Sequence, residues 1–225
     1  REGQGFTLED FKKAKKLIEA NYPEAIVTIH NLKELLIDNI GDKNTTETIT
    51  LGMMDYLPDA VFIIIENIVS QELADKIETE LNSLNWDTKY WDTRRKKVLN
   101  KRARSNLCFD ENDQEPDYEN GKGRVVGYTK VPIFKTLFDN ILTYFGAKAS
   151  NLKGEGNYYY DITKTGIGYH SDLERRKVIG IRLGENMPLY FKWYLKGEQQ
   201  GDKQEVPLNG GDIYIMSEKA VATDG

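Results

Sequence analysis

His170-Ser171-Asp172 sets an imidazole and a carboxylate two residues apart. On an extended chain, residues i and i+2 share one face of the strand, so both side chains can reach one ion. A neutral imidazole beside a carboxylate supplies two ligands of the facial triad that binds non-haem Fe(II). Cis positions stay open for a bidentate co-substrate and for O2. His170 and Asp172 are therefore the candidate metal ligands and catalytic centre. The pair alone arises often by chance, and its surroundings must carry the rest of the case.

Those surroundings are informative. Asn157-Tyr158-Tyr159 and Gly166-Ile167-Gly168-Tyr169 precede the pair; Glu174 and a β-branched run to Leu183-Gly184 follow it. The whole stretch resembles the AlkB-type 2-oxoglutarate/Fe(II)-dependent dioxygenases. Their pattern is N-x-Y, then H-x-D-x-E or H-x-D-x-x-E, then a strand closing on a small residue, an apolar residue and Gly. The resemblance implies Fe(II) on His170 and Asp172 and 2-oxoglutarate held by Asn157 and Tyr159. O2 would be the second substrate. The expected reaction is oxidation, most simply demethylation, of an alkylated or methylated base in DNA or RNA. Glu174 and Arg175 either face that substrate or form a surface ion pair. The family also uses a second histidine and, beyond it, an arginine that pairs with the co-substrate. No histidine follows His170, so both are expected just past Gly225 in a longer chain. The alternatives are a protein side-chain hydroxylase of the same superfamily, or a binding module that has lost its triad and would hold iron weakly.

The elements that must position these residues read as α+β. Thr7 predicts the cap of a helix carrying Leu8, Phe11, Ala14 and Ile18, which Pro23 ends. Ile26 to Ile29 predicts a short strand, and Asn31 with Glu34 a second helix running to Gly41. Thr45 to Leu51 is β-prone. Residues 1–55 are expected to form a mostly helical N-terminal extension. Residues 56–225 are expected to form a double-stranded β-helix (jelly-roll) core with flanking helices, lacking its C-terminal end. In that core Ala60 to Ile65 predicts a buried strand, Ser70 starts a helix, and Pro132 opens another that Gly146 ends. Gly156 to Asp161, Lys177 to Leu183, Pro188 to Leu195 and Asp212 to Met216 predict strands, with Gly197 to Gln204 a polar hairpin tip. Leu208-Asn209-Gly210-Gly211-Asp212 resembles the turn that enters a late strand of the family's sandwich. His30 is read as a structural residue.

Arg94 to Arg104 holds seven basic residues and no acidic one, while Asp110 to Glu119 holds six acidic residues and no basic one. The basic run could neutralise several phosphates. Equally, the two runs could form a solvated hairpin that pairs with itself. It falls where AlkB-type enzymes keep a nucleotide-recognition hairpin, which makes Arg94, Arg95, Arg102 and Arg104 candidate substrate contacts. Tyr90, Trp91, Phe109 and Tyr128 are candidate stacking partners for a flipped base. The net charge of −5 speaks against general coating of nucleic acid but not against one basic groove. The single Cys108 forms no internal disulfide, which suits a reducing, intracellular setting. No apolar run approaches the length of a membrane span, and no obligate protein partner is inferred.

Overall fold

The structure is a computed structural model that describes residues 3–37, 59–172, 175–195 and 197–221. In chain order its elements are α1 (Leu8–Asn21), β1 (Ile26–Asn31), α2 (Leu32–Ile37), β2 (Val61–Glu66), α3 (Gln71–Asn82), β3 (Lys89–Asp92), β4 (Lys97–Asn100) and β5 (Ser105–Asp110). There follow β6 (Val125–Gly127), α4 (Pro132–Thr143), β7 (Gly154–Tyr158), β8 (Val178–Ile181), β9 (Leu189–Leu195), β10 (Glu198–Val206), β11 (Ile213–Met216) and α5 (Glu218–Val221). The protein is α+β, and most of its strand pairs are antiparallel. No described helix is long and apolar enough to cross a membrane.

The chain divides into two compact units, the first built from residues 1–74, 144–148 and 169–225. Its main sheet runs β1-β2-β11-β8, every neighbour antiparallel. The run Val61 to Ile65 is buried at every position, because both faces of β2 are covered. On one face, Phe62 and Ile64 with Tyr214 and Met216 pack against Leu189, Phe191 and Trp193 of the β9–β10 hairpin. The other set, Ile63, Ile65, Ile213 and Ile215, is fully buried, as are Phe11, Ala14 and Ile18 of α1. Thr7 caps α1 in a reciprocal capping box with Asp10. Gly180 lies opposite Tyr214, where a Cβ would fall 2.2 Å from the ring. Only glycine leaves room for that ring against β8.

Two sequence expectations change here. The boundary expected near residue 56 does not separate these units: β1, assigned to a separate extension, pairs with β2 along its whole length. The segment Gly197 to Gln204 is largely strand, for β10 pairs with β9 across an irregularity between Gln200 and Gln204. The expectations for Thr45 to Leu51, Gly41 and the end of the second helix fall outside the described residues.

The second unit comprises residues 75–143 and 149–168. Its sheet runs β6-β5-β7, with β5 parallel to β6 and antiparallel to β7. β3 and β4 form a separate hairpin. Leu107, Phe109, Val126, Tyr128 and Val131 make its core, joined by Leu81, Leu84, Trp86 and Phe134.

Candidate functional site

His170 and Asp172 belong to the first unit and lie on an irregular stretch, not on a strand; β8 begins only at Val178. The expected shared strand face is thus corrected. The physical reason is local: the Asp172 N–H donates to the Val221 carbonyl at 3.2 Å, so this backbone is tied to the end of α5 and does not enter the β8 ladder. The side chains nevertheless converge. His170 Nε2 lies 3.6 Å from Asp172 Oδ1, too long for a hydrogen bond. Two cis donors on one ion at ordinary bond lengths stand about 3 Å apart, so a small closure would let both ligate. Arg175 Nη1 stands 3.9 Å from Asp172 Oδ1, a long ion pair on a half-exposed surface. Tyr169 supports the approach, with the Lys192 ammonium 4.4 Å from the centre of its ring. Glu174 lies outside the described residues.

The donor types suit Fe(II), and the donor number falls short of a triad. Among the described residues no group of three or more His, Cys, Asp or Glu side chains could hold a metal ion. His30 does not contribute: its ring stacks on Phe62 at 4.8 Å, and burial pulls its pKa down.

Asn157 and Tyr159 belong to the second unit, Asn157 on β7 and Tyr159 just after it. The Asn157 Oδ1 accepts from Arg104 Nε at 2.7 Å and from the Asn106 amide, which sits opposite it across the β5–β7 ladder. Its own amide group donates to no described residue, leaving that donor for a ligand acceptor.

The basic run forms the turn between β3 and β4, β4 itself, and the link to β5. The Asp92 Oδ1 accepts from the N–H groups of Arg94 and Arg95 at 3.0 and 2.8 Å, and Lys96 takes a positive φ of 48°. The acidic run does not pair with it among the described residues. Asp110, Asp113 and Glu115 meet Lys153, Lys130 and Arg124 instead. A cavity of about 840 Å³ opens here, lined among others by Tyr90, Arg95, Lys101, Arg102, Arg104 and Asn106. Arg94 does not line it. Phe109 and Tyr128 are removed as stacking candidates, being 2% and 7% exposed in the core, whereas Tyr90 is 42% exposed. Sequence reasoning passed over Lys101 as an individual residue. Nothing in a run of seven cations marks the one that the fold half-buries.

No family model matches the chain, and no solved structure matches it. It is similar to an uncharacterized protein of Acanthamoeba polyphaga mimivirus, with 44% identity over 151 residues that cover 67% of this chain. That match spans 58% of the viral protein's length.

Proposed function

We propose that this chain carries the iron site of an AlkB-type 2-oxoglutarate-dependent oxygenase acting on alkylated or methylated bases in nucleic acid. One observation carries the reading: His170 and Asp172, read as a ligand pair from their spacing, turn their donor atoms toward each other on an accessible surface. The β1-β2-β11-β8 sheet and the facing β9–β10 hairpin are read as layers of a double-stranded β-helix, with the pair tied to the end of α5, which follows β11. His170 Nε2 and Asp172 Oδ1 would hold the metal, and the bond from Asp172 to Val221 fixes the carboxylate's backbone. Arg175 sets positive charge near the same carboxylate oxygen, at 3.9 Å. The resemblance assigns Asn157 and Tyr159 to the co-substrate, and the Asn157 amide has a donor to offer such a ligand. With 2-oxoglutarate and O2, bound iron supplies the oxidising power to hydroxylate a carbon, and an N-methyl carbon so hydroxylated leaves as formaldehyde. The substrate's backbone would run along the basic segment.

The test is iron-dependent succinate release from 2-oxoglutarate by the complete gene product, with and without a methylated oligonucleotide. His170→Ala and Asp172→Ala should each abolish it, since one remaining donor of the pair cannot hold iron. Turnover unchanged in both variants would place the metal elsewhere. Metal binding without turnover would favour the binding-module alternative.

A further inference from the structure

Four residues in the second unit form one hydrogen-bond chain. Lys101 Nζ donates to Asn106 Oδ1 at 3.0 Å, the Asn106 amide donates to Asn157 Oδ1, and Arg104 Nε donates to the same oxygen at 2.7 Å. Each amide has its orientation forced. Asn106 must turn its oxygen to the ammonium and its nitrogen to Asn157, whose oxygen then serves both donors. Arg104 spends only Nε on this chain, so its terminal nitrogens keep the fork geometry that suits a phosphate or carboxylate.

Lys101 and Arg104 border the 840 Å³ cavity, with Arg95 and Arg102 also in its lining, and no described acidic residue lines it. Burial pushes the Lys101 ammonium below its ordinary pKa; Asp87 partly offsets this and Arg104 adds to it. Cations gathered in a concavity repel one another, burial strips Lys101 of part of its water, and a bound anion relieves both costs. Tyr90 in the same lining offers a ring face beside the charges. Phosphate next to an aromatic face is the chemistry of a nucleotide. Its 840 Å³ lies within the range of single-ligand pockets, about 300–1,000 Å³, a size that suits one unpaired nucleotide and not a duplex.

We propose that this cavity is a phosphate-anchoring site for an unpaired nucleotide, in which Asn106 and Asn157 are the positioning residues that hold Lys101 and Arg104. The site lies within the second unit and does not rest on the iron reading. It gives the Asn157 oxygen a task of its own, separate from any co-substrate contact by its amide.

The test uses the full chain without iron or 2-oxoglutarate. Fluorescent oligo(dT) is titrated over a range of salt, with ATP and inorganic pyrophosphate as competitors. Arg104→Ala should weaken oligo(dT) binding by about tenfold or more and lower the slope of log affinity against log salt by roughly 0.7. Asn157→Ala should do the same although it removes no charge, a readout that general loosening of the fold would not mimic. The double variant should bind within about twofold of Arg104→Ala, because the two residues act as one. Should Asn157→Ala fail to fold, the exposed Arg95→Ala and Lys101→Met provide the same salt-slope comparison. Strong oligo(dT) binding with weak ATP competition identifies a strand as the ligand, and equal competition by ATP identifies a free nucleotide. Absence of binding to all three probes at low salt overturns the proposal. Additive effects of Arg104→Ala and Asn157→Ala overturn the positioning role.

Discussion

Asp87 shows what a buried carboxylate needs to be tolerated. It is 4% exposed, and one oxygen accepts from the Tyr118 hydroxyl at 2.6 Å while the other accepts from the Arg124 N–H at 2.6 Å. Gly123 leaves room for this, since a Cβ there would fall 2.9 Å from the carboxylate. The effect on the partner is large: burial, then the bond to Asp87, pushes the Tyr118 pKa up to about 12. A phenol whose folded pKa exceeds its unfolded value of about 10 binds its proton more tightly in the native state. The stability this contributes is present below pH 10 and is lost as pH rises toward 12. In Asp87→Asn the Tyr118 phenolate should form at lower pH, yet still above the ordinary range, because burial is the larger cause. The variant should also lose about 1–3 kcal/mol of stability, as the amide retains one acceptor oxygen for two buried donors. Ultraviolet titration and urea melts read the two effects. A Tyr118 titration identical to that of the parent would show that Asp87 does not perturb it.

At the scale of elements, α4 repays attention to its first turn. Pro132 at the first helical position is legible from sequence, because its missing N–H costs nothing there. The cap is not legible. The carboxylate of Glu80, on α3, accepts from the N–H groups of Ile133 and Phe134 at 3.0 and 2.9 Å, one oxygen to each, across 53 and 54 residues of sequence. Glu80→Ala should cost about 1 kcal/mol by thermal melting, with Glu80→Gln recovering part of it. An unchanged melting temperature in Glu80→Ala would mean that water caps the helix equally well. The same division between local and distant causes runs through the fold. Thr7 with Asp10, and the apolar run of β2, signal their elements within a few residues. β10 does not, since Glu198-Gln199-Gln200 and its successors are polar and only Gln200, Gln204 and Val206 turn inward. Its strand character comes from backbone pairing with β9, which composition does not reveal. The stretch holding His170 and Asp172 errs the other way. The i, i+2 spacing of the pair suits a strand, but its backbone is bonded to Val221 instead.

For the whole molecule, the chain crosses between its two units more than once, and a sequence read from end to end has no means of showing this. Residues 169–225 return to the sheet that β1 and β2 began, while residues 75–143 and 149–168 build a separate core around Phe109 and Tyr128. The candidate residues sort accordingly: the ligand pair His170 and Asp172 on the first unit, the Lys101–Asn106–Asn157–Arg104 chain on the second. Each group is held by bonds inside its own unit, so binding at the two should be separable at equilibrium. His170→Ala should remove binding of Co(II), a spectroscopic stand-in for Fe(II), and leave oligo(dT) affinity in metal-free buffer within about twofold of the parent. Arg104→Ala should do the reverse, weakening oligo(dT) while leaving the cobalt spectrum unchanged. Sites that share no partner group contribute independently. Turnover on a methylated oligonucleotide should need both. Loss of oligo(dT) binding in His170→Ala, with the fold intact by circular dichroism, would show that the two groups share a ligand surface even without metal. The assignment of phosphate anchoring to the second unit alone would then fall.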